Sequence, residues 1–87
     1  MQDEKILKRV LYRACYRGGK EADRILGSFA KTHATSLSAQ ELEDLDALLQ
    51  CDDGDIFAWL EQIEPVPSKF DTPALQILRN YTKLLKT

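Results

Sequence analysis

The sequence predicts an all-α fold, a compact five-helix bundle forming a single domain over residues 1–87. Three observations predict it. Apolar residues recur at helical spacing in five separate stretches. Only four Gly and three Pro punctuate the 87 residues, too few for the closely spaced turns of an all-β chain. The connections are short, as they are between near-antiparallel helices. Hydrophobic residues at 44% and charged residues at 30% belong to a globular chain rather than a disordered one.

The first helix is expected from about Asp3 to Tyr16, where Ile6, Leu7, Val10, Leu11, Ala14 and Cys15 share one face. Asp3 and Glu4 suit the positive end of its dipole and Arg13 the negative end. Gly18-Gly19 stops it, because glycine enters the left-handed region cheaply. The second helix runs from about Lys20 to His33 on a stripe of Ala22, Ile25, Leu26, Phe29 and Ala30. Gly27 within it costs roughly 1 kcal/mol against alanine, which points to a close helix–helix approach.

Ser38-Ala39-Gln40-Glu41 is a capping box that starts the third helix, with Leu42, Leu45, Leu48 and Leu49 following at helical spacing. Leu37 is placed to staple against Leu42. The fourth helix begins at the acidic run Asp52-Asp53-Gly54-Asp55, which suits a helix N-terminus. It continues through Ile56, Phe57, Trp59, Leu60 and Ile63 until Pro65 and Pro67 end it. Asp71-Thr72-Pro73 opens the fifth helix, with a capping side chain before a first-turn proline. Leu75, Leu78, Tyr81, Leu84 and Leu85 supply its stripe.

Twelve Lys+Arg against fourteen Asp+Glu leave a net charge of −2. A nucleic-acid binder would carry a basic excess, so no nucleic-acid partner is expected. No apolar run approaches the roughly 18 residues that span a bilayer, so no membrane partner is expected either. Cys15 and Cys51 lie far apart without a CxxC. One disulfide is arithmetically possible, but two reduced, buried thiols are the expectation for a chain without a signal peptide. The N-terminus, MQDEKILKRV, is charged and periodic, which favours the bacterial cytoplasm over an exported or imported protein.

Catalytic constellations are missing from the sequence. His33 is the sole histidine, read as a residue at a helix C-terminus facing solvent or favouring the dipole rather than a ligand or base. No zinc spacing, phosphate loop or nucleophile elbow is present. The acidic run breaks the calcium-loop ligand series at Phe57 and Trp59, so helix capping accounts for it better. The expectation is a protein without catalytic residues, metal or cofactor of its own. Trp59, between apolar neighbours, reads as core.

Arg17-Gly18-Gly19-Lys20-Glu21 admits two readings. It is a plain turn, with a helix stop followed by an acid at the next helix start. It also suits a contact surface, with glycine for close backbone approach, the planar Arg17 fork for oxygen acceptors, and Glu21 to orient that fork or meet a basic group.

Arg17-Gly18-x-x-Glu21, followed by Asp23, Leu26-Gly27 and Phe29-Ala30, resembles the RGxxE signature of the succinate dehydrogenase assembly factor 2 family. The stretch from Leu48 to Leu60, an acidic turn leading into a helix with Trp59, resembles the family's other characteristic block. The two blocks lie in the family's order and separation, and the resemblance covers roughly Lys8 to Leu60. Tyr16 stands where many members carry a second arginine, Gly19 where a bulkier residue is common, and Gly54 where proline is usual.

The resemblance implies a five-helix bundle, a monomer when free, that binds the flavoprotein subunit of succinate dehydrogenase and promotes covalent attachment of FAD to a histidine of that subunit. Fumarate reductase flavoproteins are further clients on this reading. The FAD belongs to the client, whose flavinylation is self-catalysed. By position, Arg17, Gly18 and Glu21 are the functional residues; Tyr16, Asp52 and Asp53 complete the expected partner-binding set. The competing expectations are an antitoxin-like regulatory adaptor with a different client, and a flavin carrier. The second has no dinucleotide fingerprint to support it.

Overall fold

Five α-helices follow one another in the computed structural model, which describes residues 2–86, with side chains over 4–85. They are α1 (Gln2–Cys15), α2 (Lys20–His33), α3 (Ala39–Leu49), α4 (Asp53–Leu60) and α5 (Pro73–Lys86). Short 3-10 turns at Ala34–Ser36 and Ser68–Phe70 precede α3 and α5. Among the described residues there is no strand. The Asp3 side chain, expected at the positive end of the first helix, lies outside the described side chains.

Local chemistry sets most of the helix bounds. Glu41 N donates to Ser38 Oγ at 3.1 Å and Ser38 N to Glu41 Oε1 at 3.0 Å, so the capping box forms as its spacing predicts. Leu37 and Leu42 line one depression beside Leu7, where the staple is expected. Thr72 Oγ1 accepts from Leu75 N at 3.4 Å, one residue before Pro73 begins α5.

The fourth helix ends earlier than its apolar pattern suggests. Gln62 N donates to Trp59 O at 3.2 Å and Ile63 N to Ala58 O at 2.8 Å, with Gln62 at φ 60°. These paired bonds make a Schellman ending, so a left-handed glutamine closes α4 before Pro65 is reached. Ile63 is consequently 71% exposed rather than part of the buried stripe. The Arg79 guanidinium, buried on α5, caps the same end by donating to Trp59 O at 2.8 Å.

Helix α1 packs against both α2 and α3, and α5 closes over α2, α3 and α4. The deepest side chains are Val10, Leu26, Phe29, Leu45, Leu48, Ile56, Leu75 and Leu78, drawn from every helix. A Cβ built on Gly27 would lie 3.2 Å from Cys15 Sγ and 3.5 Å from its Cα, the close approach expected there. Trp59 is core, with its ring stacked on Phe70 at 5.3 Å between centroids.

Three expectations about side chains are corrected. Leu84 and Leu85 are exposed, because the last turn of α5 runs past the core that Ala74, Leu75 and Leu78 enter. Cys15 and Cys51 are free thiols but only half-buried. His33 neither faces solvent fully nor serves the dipole alone; its ring sits 5.2 Å from Phe29 and 5.3 Å from Tyr81. The Cα radius of gyration is 11.9 Å, close to the ~12 Å of a compact domain this long.

Candidate functional site: the turn between the first two helices

Arg17 lies two residues past the end of α1, and its side chain is only 9% exposed. The guanidinium points into the bundle. Nη1 donates to Arg13 O at 3.2 Å and to Leu49 O at 2.6 Å, Nη2 donates to Cys51 O at 2.5 Å, and Nε donates to Asp53 Oδ1. Four of its five donors are therefore engaged within the chain. The acceptors share a logic. Arg13 O and Leu49 O belong to last turns, whose carbonyls have no intrahelical partner and carry the negative end of the dipole. Asp53 is the first residue of α4. One cation thus pins the ends of α1 and α3 to the start of α4.

The backbone around it is equally determined. Arg17 N donates to Asp23 Oδ1 at 2.6 Å, so an acid one turn into α2 reaches back over the junction. Gly18 adopts φ +96°, where an L side chain is strained, and nothing lies within 4 Å of a Cβ built there. Gly18 is exposed. Gly19 caps α2 in extended conformation and has no such need for glycine. A Cβ there would meet Asp53 Oδ2 at 3.9 Å, ordinary contact, which leaves room for a bulkier residue.

Glu21, on the first turn of α2, is exposed, and its carboxylate makes no hydrogen bond or ion pair with the described residues. Tyr16 is 72% exposed and Tyr12 66%, with their rings 5.0 Å apart. Asp52 is exposed and sits at the N-cap of α4, yet its side chain makes no capping bond. The acidic run therefore does not cap α4 through its carboxylates as expected. Asp53 turns to Arg17 instead, because a guanidinium is a stronger, charge-assisted donor than a backbone amide.

The structure thus brings Arg17 and Asp53 together, with Gly18 and Gly19 in the same turn. It sets Glu21 and Tyr16 outward and leaves Asp52 on the surface. Two further arginines on α1 belong to the same seam. Arg9 Nε and Arg13 Nε each lie 3.1 Å from an oxygen of Asp46, which is buried on α3. The Arg13 contact is an ion pair rather than an aligned hydrogen bond. The four-residue spacing of Arg9, Arg13 and Arg17 along one face is the signal in the sequence that could have found this ladder.

The Cys51 thiol, next to the carbonyl that Arg17 holds, is pushed above its ordinary pKa by burial first and then by Asp55. It is a thiol, not a thiolate nucleophile, at neutral pH.

Fold and site together define a small helical bundle with a preformed, internally clamped turn at one end. A family model described as the flavinator of succinate dehydrogenase, Sdh5, matches residues 8–82. The chain is 39% identical over 80 residues to the mitochondrial succinate dehydrogenase assembly factor 2 of Dictyostelium discoideum, covering 92% of this chain and 57% of that protein. It is 33% identical over 78 residues to assembly factor 2-A of Drosophila erecta, covering 87% and 48%. Against assembly factor 2-B of Drosophila melanogaster the figures are 32%, 87% and 50%. The chain belongs to this family of succinate dehydrogenase assembly factors. It spans about half the length of the curated relatives it matches.

Proposed function

We propose that this protein binds the flavoprotein subunit of succinate dehydrogenase and promotes covalent attachment of FAD to it, acting as a chaperone and not as an enzyme. The observation that carries the reading is the division of labour within the RGxxE turn. Arg17 faces inward and fixes the turn, while Gly18 and Glu21 face outward from it. A surface held this rigidly is ordered before binding, so less entropy is lost on docking. Fixing one client conformation aligns the client's own histidine with its flavin, and the client performs the bond-forming step. FAD stays with the client throughout. Tyr16 and Asp52 flank the contact, and Asp53 contributes by holding Arg17.

The factor acts where its client folds, which is the bacterial cytoplasm, or the mitochondrial matrix in a eukaryotic source. In-gel flavin fluorescence of the flavoprotein tests the reading. The subunit is expressed with the wild-type protein, with Glu21→Ala, and with neither. Fluorescence should rise with the wild type and fall with the variant. Equal fluorescence in all three would remove the assembly role.

A further inference from the structure

We propose that the solvent face of α1, a stripe of lysines and tyrosines leading into the RGxxE turn, docks an acidic segment of the client flavoprotein. This docking rests on the assembly-factor reading and adds the chemistry that the client presents beside the turn. Lys5, Lys8, Tyr12 and Tyr16 recur every three or four residues and are all exposed, so they share the side of α1 that packs against neither α2 nor α3. Tyr16 stands immediately before Arg17, which makes the stripe continuous with the turn. The two tyrosine rings lie 5.0 Å apart and are 66% and 72% exposed. They leave aromatic area in water, and tyrosine is enriched where proteins dock.

Charge selects the occupant. Lys5 and Lys8 form no ion pair with the described residues. Arg9 and Arg13, beside them, share the single carboxylate of Asp46, which leaves one positive charge over there as well. Glu4 lines the depression with Leu7 and Ala34, off the stripe. The stripe therefore offers ammonium and phenol donors, which suit carboxylate acceptors. The chain as a whole carries −2, so the surface beyond this positive stripe is more negative still. That surface repels a long polyanion such as RNA or an anionic bilayer, whereas a short acidic segment meets the stripe alone. From Lys5 to Tyr16 the stripe runs about 16 Å, the reach of about five extended residues.

The test is a titration of the FAD-free succinate dehydrogenase flavoprotein subunit with wild type, Lys5→Glu/Lys8→Glu, Tyr12→Ala/Tyr16→Ala and Lys31→Glu. All the altered side chains are exposed, so every variant should fold, as circular dichroism melting would verify. Each double variant should weaken binding about tenfold or more, and the lysine reversal should also remove the gain in affinity at low salt. Lys31→Glu, a charge reversal on α2 away from the stripe, should bind as wild type. A photo-crosslinking phenylalanine derivative at position 12 should label a client peptide rich in Asp and Glu. Wild-type affinity for Lys5→Glu/Lys8→Glu would overturn the stripe and leave the assembly reading standing. So would a label on a peptide without acidic residues, or wild-type binding to RNA or to phosphatidylglycerol vesicles as tight as to the flavoprotein. Failure of the wild type to bind the flavoprotein would overturn both.

Discussion

Arg17 and Asp53 lie 36 residues apart in the chain and are joined by a charge-assisted hydrogen bond from Nε to Oδ1. The bond closes the junction of α1 and α2 onto that of α3 and α4. The same guanidinium holds the carbonyls of Leu49 and Cys51, at 2.6 and 2.5 Å. Truncation therefore loses several bonds at once and leaves part-buried carbonyls unpaired. Arg17→Ala should lower the unfolding free energy by about 2–4 kcal/mol, read from urea titration. Arg17→Lys should recover less than half, because one ammonium cannot reproduce a planar fork. Asp53 is one-third exposed, and Asp53→Asn should cost only about 1 kcal/mol. An Arg17→Ala variant as stable as wild type would show that the clamp contributes nothing to the fold.

Gly18 and Gly19 are adjacent and have different requirements. At φ +96° Gly18 pays for any side chain in backbone strain, although the surrounding space is open. Gly18→Ala should destabilise by about 1–2 kcal/mol. Gly19→Ala should lie within about 0.5 kcal/mol of wild type, since its Cβ would make only ordinary contact. Thermal melts of the two variants side by side test the contrast. Equal melting temperatures would contradict it.

The fold was legible wherever a signal was local. The capping box at Ser38, the Thr72-Pro73 start and the α2 bounds each depend on residues within one turn, and each formed as read. The end of α4 was not legible, because glutamine carries no mark of the left-handed conformation that Gln62 adopts. At the candidate site, the sequence puts Arg17 to Glu21 in one turn and leaves open which of these side chains points into the bundle. That depends on where the α3–α4 junction lies, and no spacing within Arg17-Gly18-Gly19-Lys20-Glu21 encodes it. Asp46 was missed for a similar reason. An aspartate on a leucine-rich helix reads as surface until α1 is known to bring Arg9 and Arg13 to it.

Cys51 makes stability depend on alkaline pH. Its thiol is raised above the ordinary value by burial, with Asp55 adding to the shift. As pH rises past about 9, the unfolded chain begins to lose this proton while the folded chain keeps it. The unfolded state then binds fewer protons, so this contribution to stability is full below that pH and is lost as pH climbs through the folded value. Urea unfolding of wild type and Cys51→Ala from pH 7 to 10 reads this contribution as the difference between the two. The stability difference between them should move against the wild type above about pH 9. A difference that stays flat would mean the thiol is as solvated folded as unfolded.

Gln62 offers a gain in stability at a position no contact would suggest. Its φ of 60° lets Gln62 N and Ile63 N reach the carbonyls of Trp59 and Ala58, so the conformation cannot relax without losing both bonds. A non-glycine residue held there costs about 1–2 kcal/mol. Gln62→Gly removes that strain and keeps both backbone bonds, while the unfolded chain gains freedom that offsets roughly 0.5–1 kcal/mol. The net should be about 0.5–1 kcal/mol in favour of the variant, or about 2–8 °C in melting temperature for a domain of this size. Gln62→Ala, which keeps the strain, should show no gain. A Gln62→Gly variant that melts below wild type would mean that the glutamine side chain makes an interaction worth more than the strain, and the ending of α4 would have to be attributed to that interaction.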